Sequence, residues 1–361
     1  MKYVDEFRDR GHIAGLSDLI EKEASRDYTF MEVCGGHTAA IHRFGIPSLL
    51  PPQIRLISGP GCPVCVTPAG YIDNLTLLAR DESITIALFG DLMRVPGTLG
   101  TPAGARAAGA DVRVVLSAHE ALETARSNPE RKVVFSAIGF ETTAPGTAVT
   151  VLQADREDIE NFFVLTAHKV MPPAMEAILG EGTHIDGFIC PGHVAVITGS
   201  QAFDFIPRNY GLACVVTGFE PTDILSSVLM LVRQVNDRKP SVEIQYSRAV
   251  SSEGNTRAQG YMNEVFEPAD VEWRGLGVIP LSGLRLRDRY RRFEAADAFP
   301  VQLPVVRETN RCICGDILRG KSIPSDCRLF ATACTPDHPE GACMVSDEGS
   351  CNTWYKYHFH D

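Results

Sequence analysis

Three features of the sequence predict an α/β fold of two similar parallel-sheet lobes facing a cleft. Short apolar runs alternate with helical stretches, the order of elements that a parallel sheet requires. The runs end in glycine-rich or polar turns, at the carboxyl strand ends where open sheets bind ligands. A second series of such runs then repeats the pattern with echoing turn motifs.

The chain has 361 residues, 44% hydrophobic and 22% charged, as in an ordinary soluble globular protein with room for two or three domains. A net charge of -11 excludes a nucleic-acid binder, which needs a basic footprint. Residues 1–10 mix acids and bases, and no stretch reaches the roughly 18 apolar residues of a membrane span, so a cytoplasmic location is expected. In that reducing compartment eleven cysteines point to metal ligation or redox work, not a disulfide framework.

The first stretch, Val4 to Ser25, has Leu16, Leu19 and Ile20 spaced for a helix that buries one face. Tyr28 to Val33 reads as a strand and ends in Cys34-Gly35-Gly36-His37-Thr38 before a helical run, Ala39 to Phe44. The next strand, Ile54 to Ile57, opens into Gly59-Pro60-Gly61-Cys62-Pro63-Val64-Cys65, the motif around which the rest is organised. Its glycines permit unusual backbone angles and its prolines stiffen the turn, so both thiols are held in set directions. A helix beginning near Thr67 would turn its positive end toward them and favour thiolates. If the two strands are neighbours, Cys34, Cys62 and Cys65 meet at one sheet edge with His37, and three thiolates with an imidazole suit iron or zinc. The plain alternative for Cys34 is a small buried residue.

Strands at Ile84 to Phe89, Val112 to Leu116 and Val133 to Ile138 follow, with helices at Pro102 to Ala108 and Ala118 to Arg126. Their ends carry Gly90-Asp91-Leu92-Met93-Arg94 and Gly139-Phe140-Glu141-Thr142-Thr143. Glu141 and Thr142 have the composition of helix caps and are kept as site candidates for their position. A second α/β unit starts near Asn161, with strands at Phe163 to Thr166, Gly187 to Cys190 and Ala213 to Thr217. Pro191-Gly192-His193 echoes Pro60-Gly61-Cys62, and Gly218-Phe219-Glu220 echoes Gly139-Phe140-Glu141, at spacings that differ from a true repeat. On this reading His193 reaches across to the cysteine side; its alternative is a helix cap.

After Arg238-Lys239-Pro240 come a strand at Val242 to Tyr246 and a helix at Asn255 to Phe266. Arg285, Arg287, Arg289, Arg291 and Arg292 read as a solvated or acid-paired face, with an acidic partner as the alternative. The tail holds Cys312, Cys314, Cys327, Cys334, Cys343 and Cys351 among glycines and prolines. A four-iron cluster takes four thiolates, so two are left over. Zinc is the rival ligand for such spacings. The surplus pair favours redox work, a cluster delivering single electrons beside a dithiol that accumulates two.

Taken together, Cys34-Gly35-Gly36-His37-Thr38, Gly59 to Cys65, Gly139 to Thr143, Pro191-Gly192-His193, Gly218-Phe219-Glu220-Pro221 and the six-cysteine tail resemble the HypD family of nickel–iron hydrogenase maturation proteins over essentially the whole chain. The resemblance implies a scaffold with a chemical task rather than a turnover enzyme of a standard class: assembly of an iron centre bearing two cyanides and one carbon monoxide. It implies two partners, a HypC-type chaperone that shares the iron and a HypE-type cyanide donor carrying a thiocyanate. It implies Cys34, Cys62 and Cys65 as iron-site cysteines, with Cys34 the direct ligand, and His37, Glu141, His193 and Glu220 as further site residues. The tail resembles the cluster region of ferredoxin-thioredoxin reductase. That likeness implies a 4Fe-4S cluster on Cys312, Cys327, Cys334 and Cys351 beside a Cys314 and Cys343 pair, although the spacing alone admits other choices of four from six. The implied organisation is a lobe over 28–155, a second over 156–238, and an iron–sulfur domain built from 239–361 with the N-terminal helices of 1–27. The rival functions are an iron–sulfur-dependent thiol–disulfide reductase, for which Cys34 is dispensable, and a zinc-stabilised binding module.

Overall fold

The computed structural model describes residues 5–180, 182, 184–303 and 312–358. In chain order the elements are α1 (Arg10–Glu23), β1 (Tyr28–Glu32), α2 (Gly35–Arg43), β2 (Ile54–Ser58), α3 (Ala69–Leu78), β3 (Ile84–Leu88), α4 (Pro102–Ala107) and β4 (Val112–Val114). They continue with α5 (Ala118–Ser127), β5 (Lys132–Gly139), α6 (Ala144–Arg156), β6 (Phe162–His168), α7 (Met171–Gly180), β7 (Gly187–Pro191), α8 (Gly192–Thr198), β8 (Ala213–Thr217) and α9 (Pro221–Asp237). The last are β9 (Val242–Ile244), α10 (Thr256–Val265), β10 (Phe266–Trp273), β11 (Gly277–Leu286), α11 (Ala295–Ala298), α12 (Cys314–Leu318) and α13 (Ser350–His358).

Helix starts follow local chemistry. Side chains of Asp9, Thr101, Ser117 and Asn255 accept the otherwise orphaned amides of His12, Gly104, Glu120 and Ala258. The expected first helix begins at Arg10, after a single 3-10 turn at Asp5–Arg8; Val4, where the sequence reading starts it, lies outside the described residues. The second begins at Gly35, four residues earlier than expected, because the Cys34 carbonyl already accepts the amides of His37 and Thr38 at 2.8 and 3.0 Å.

Nine strands form two parallel sheets, one ordered β2-β1-β7-β8-β9 and the other β4-β3-β5-β6, while β10 and β11 pair as an antiparallel hairpin. β1 and β2 are neighbours in parallel register from Tyr28 opposite Ile54 to Glu32 opposite Ser58, as the cysteine argument requires. Strand membership departs from the expected division at residue 155. β6 pairs with β5 along its whole length, Val133 opposite Phe162 to Gly139 opposite His168, whereas β7 and β8 extend the sheet that begins with β1 and β2. The chain therefore leaves the first sheet after β2, builds the second, and returns. Each sheet has a point where strand order reverses, between β1 and β7 in the first and between β3 and β5 in the second. Such points are where open α/β sheets place ligands.

Among the described residues the N-terminal helix packs with α9 and the first sheet. Ile20 of α1 is buried with Tyr28, Phe30, Ile224, Leu225 and Val228, against α9 and the first sheet. The cysteine segment instead joins the core that contains Cys62, Cys65 and Ile72. The arginine run is acid-paired: Arg285 donates to Glu267 at 2.7 Å, Arg291 to Asp297 at 2.6 Å and Arg292 to Asp155 at 2.9 Å. No helix among the described residues is long and apolar enough to cross a membrane.

Candidate functional site

The first site grows from the ends of β1 and β2. The Gly59 amide donates to the Glu32 carbonyl at 2.7 Å and the Gly35 amide to the Gly61 carbonyl at 2.9 Å, tying the two turns together. They approach so closely that a Cβ on Gly61 would fall on the amide nitrogen and Cα of Cys34. Cys34, extended at φ -145°, is the residue before α2, so its thiol sits beside the first turn of that helix. Burial first, then the carboxylate of Glu348, push this thiol up to about 12, against the amides of His37 and Gly36, which favour the thiolate. Cys34 is therefore a neutral thiol at neutral pH.

Cys34 borders a cavity of about 520 Å³. Its walls come from strand ends of both sheets: Gly61 and Pro63 after β2, Phe140, Thr142 and Thr143 after β5, Pro191 and His193 at β7, with Glu348 from the cysteine segment. Phe219 stacks with His193 at 3.9 Å and with His37 at 4.5 Å between ring centroids. His37 is wholly buried, with Nε2 within 3.1 Å of the Thr217 carbonyl and 3.0 Å of that of Gly218, and burial lowers its pKa to about 4. It props the Phe219 and His193 side of the cavity. His193 is itself lowered by burial.

Cys62 and Cys65 are buried and joined as a disulfide, with Cα atoms 5.2 Å apart. They do not border the cavity, but Gly61 and Pro63 of the same turn do, and Cys65 Sγ lies 4.0 Å from the Ala342 carbonyl. The CxxC turn thus touches the Cys34 cavity on one side and the cysteine segment on the other.

In that segment all six cysteines, Cys312, Cys314, Cys327, Cys334, Cys343 and Cys351, line one small cavity with Ile317, Leu329, Phe330 and Met344. Their interactions divide them. Cys314 contacts both Cys312 and Cys343, while Cys351 is within electrostatic reach of Cys312, Cys314, Cys334 and Cys327. The Cys351 thiol is pushed well up, by burial first and then by these neighbours. Among the described residues no three His, Cys, Asp or Glu side chains stand closely enough to hold a single metal ion. What the cavity offers is a purely sulfur donor set inside an apolar wall, the chemistry that iron–sulfur clusters require and that carboxylate-loving ions do not.

Comparison with known proteins decides the family. The HypD family model, described as the hydrogenase formation hypA family, matches residues 12–358. The chain belongs to the HypD family. It is 48% identical to the hydrogenase maturation factor HypD2 of Bradyrhizobium diazoefficiens and 48% identical to HypD of Azotobacter vinelandii, in each case over 99% of this chain and 97% of the relative. It is 46% identical to HypD of Cupriavidus necator over the same shares. This HypD chain is accordingly a hydrogenase maturation factor.

Besides His37, Cys62 and Cys65, two more of the expected site residues, Glu220 and Glu141, lie off the cavity wall. The Glu220 carboxylate receives Arg8 at 2.9 Å, and its backbone amide donates to Asp223 at 3.2 Å, at the start of α9. Glu141 is buried, and its Oε1 receives the Met171 amide at 2.8 Å, at the start of α7. Both hold helix starts, the capping alternative weighed for Glu141 from its composition. Two acids on the cysteine side escaped the sequence reading. Glu32 is buried and receives the Cys34 amide at 3.0 Å and Thr38 Oγ1 at 2.5 Å. A charged residue closing an apolar strand was its visible signal. Glu348 borders the Cys34 cavity, and only its position three residues before Cys351 hinted at it.

Glu141 provides a pH test. Burial raises its pKa from the ordinary 4.5 to about 7, partly offset by the Met171 amide. Between these values the unfolded chain has lost a proton that the folded chain keeps, so stability falls as pH rises from about 4.5 to about 7. Glu141→Gln keeps the acceptor and removes the titration. Denaturant unfolding at pH 5 and pH 8 should show the variant gaining on the wild type by on the order of 2 kcal/mol across that window; an unchanged difference would mean that the carboxyl is ionised at both pH values.

Proposed function

We propose that this HypD chain is the scaffold on which the Fe(CN)2CO moiety of nickel–iron hydrogenases is assembled. The iron is cargo, held through Cys34 with the Cys62/Cys65 turn beside it. The observation that carries the reading is the single cavity on which Cys34, His193, Thr142 and Thr143 from separate strand ends converge with Glu348 of the cysteine segment. A soft thiolate stabilises low-spin iron with strong-field diatomic ligands. The polar wall supplies donors to groups that carry negative charge.

The redox part of the reading uses the CxxC turn. Releasing cyanide from a thiocyanate takes two electrons, and two thiols supply them: RSCN and the Cys62 and Cys65 thiols give RSH, the Cys62–Cys65 disulfide and HCN. The disulfide geometry already present supports that closure. Cys312, Cys327, Cys334 and Cys351 would hold a 4Fe-4S cluster, with Cys314 and Cys343 as the adjacent pair. When bound, that cluster supplies single electrons. The approach of Cys65 to Ala342, the residue before Cys343, supports passage of reducing equivalents between the two centres.

The partners in this reading are a HypC-type chaperone and a HypE-type cyanide donor, and the setting is the cytoplasm, which suits nine cysteines left unpaired. The test is infrared spectroscopy on the anaerobic complex with the chaperone, joined to an iron count. Bands of metal-bound cyanide and carbon monoxide with five irons per chain are expected. Four irons, no such bands and rapid turnover of a disulfide substrate would transfer the assignment to the rival thiol–disulfide reductase, which the same CxxC contact favours.

A further inference from the structure

Beside the cysteine segment opens a cavity of about 1000 Å³ that the assembly reading leaves without a task. It is bordered by the tip of the β10–β11 hairpin at Trp273–Gly275, by the loop at Pro96–Thr98, and by the chain from Cys312 to Asp316. Cys312 and Cys314 line both this cavity and the inner one shared by all six cysteines, whereas Cys343 lines only the inner one. Cys314 therefore stands between open space and Cys343.

Cys314 is itself buried, and at the hairpin tip its cover toward the cavity is bare backbone. Gly275 has φ +77°, and a Cβ built there would lie 2.8 Å from Gly315 Cα and 3.7 Å from Cys314 Sγ. Backbone without a side chain thus forms the wall next to the thiol. Arg274 and Arg319 also border the cavity, Arg274 donating to the Pro96 carbonyl at 3.3 Å and Arg319 to that of Gly275. The Arg274 guanidinium is anchored by a backbone carbonyl, which does not neutralise its charge.

An opening onto a sulfur discriminates between kinds of reductant. A one-electron carrier needs only proximity, because an electron crosses packed protein without a channel. A thiol reductant must bring its own sulfur into contact with the sulfur it attacks. Resting on the assignment of Cys314 and Cys343 as a redox pair, we infer that this cavity admits an external dithiol, which attacks Cys314 of the closed Cys314–Cys343 disulfide. The first thiolate of the dithiol bonds to Cys314 Sγ, the Cys314–Cys343 bond breaks, and Cys343 leaves as a thiolate that takes up a proton. The second thiol of the donor then displaces Cys314. The donor ends as a disulfide and the chain as two thiols, two electrons and two protons richer. The positive charge of Arg274 stabilises the thiolates formed during the exchange.

The dithiol is either a small molecule or an exposed loop of a protein, and two arms separate these. Full-length protein showing its iron–sulfur absorption band is mildly oxidised and treated anaerobically with dithiothreitol, or with a thioredoxin whose second active-site cysteine is replaced by Ser. The expected result is a gain of two thiols with dithiothreitol that peptide mass mapping assigns to Cys314 and Cys343, counted apart from any gained at the Cys62–Cys65 disulfide, and, for a protein donor, a mixed disulfide that the same mapping places on Cys314. Opening by dithiothreitol without a thioredoxin adduct assigns the cavity to a small dithiol. Arg274→Ala is expected to slow the opening roughly tenfold with the absorption band unchanged. An adduct confined to any other cysteine, or a Cys314–Cys343 pair that stays closed with either dithiol, overturns the inference. Infrared spectra of the same preparation in complex with the chaperone keep the two readings apart: cargo bands without dithiol reactivity defeat this inference alone, and reactivity without cargo bands defeats the assembly reading.

Discussion

Replacing Cys34 by Ala is expected to abolish the infrared bands of metal-bound cyanide and carbon monoxide in the anaerobic complex, a complete loss rather than a reduction. Among the described residues Cys34 is the one thiol that borders the cavity of about 520 Å³, since Cys62 and Cys65 are buried off its wall and joined to each other. No neighbouring sulfur stands on that wall to take its place. The side chain makes no capping bond at the start of α2, so folding should change by less than about 1 kcal/mol. The visible band of the cysteine segment should remain. Bands of unchanged intensity would show that the iron is held elsewhere, and a simultaneous loss of the visible band would show that the substitution had unfolded the chain. Cys34→Ser is expected to fail as well, because a hard hydroxyl does not replace a soft thiolate toward low-spin iron.

Gly61→Ala is expected to be the most damaging single substitution at the site for stability. Its methyl group would fall on the Cys34 backbone, and neither neighbour can rotate away, because both are main chain held by the Gly35 to Gly61 hydrogen bond. The ends of β1 and β2 must then separate. Overpacking commonly costs about 1–3 kcal/mol where side chains can adjust, and a main-chain collision should cost about 3 kcal/mol or more. Thermal unfolding should show a midpoint lower by roughly 4 °C or more for a chain of this size, and the variant should bind no cargo iron even where it folds. An Ala variant with wild-type stability would mean that the two turns are farther apart than the structure places them.

The site was legible where chemistry and local geometry coincide. A cysteine at a strand end, followed by glycines and a helix, can be read from Glu32 to Thr38 without knowing the fold, and the same grammar at Gly59 to Cys65 made the pairing of β1 and β2 a natural expectation. Sheet membership was not legible, because β6 and β7 carry the same apolar pattern and periodicity does not say which neighbour a parallel strand will take. Glu141 and Glu220 entered the expected site through matching Gly-Phe-Glu motifs, yet burial and backbone amides gave one to α7 and Arg8 and Asp223 hold the other at α9. Glu348 was invisible for the opposite reason. Its place opposite Gly35 comes from how the cysteine segment folds back over α2, which no local pattern records.

Sheet order also sets a schedule for biosynthesis. β1 and β2 are made early, but the strand that completes the far wall, β7 with His193 at its end, is translated only after the whole second sheet. A nascent chain on the ribosome exposes Cys34 long before it has a pocket, so adventitious metal captured then meets a lone thiol of little grip. On the proposed assignment of Cys34 to cargo iron, secure loading waits until the returning chain has closed the ring of contacts.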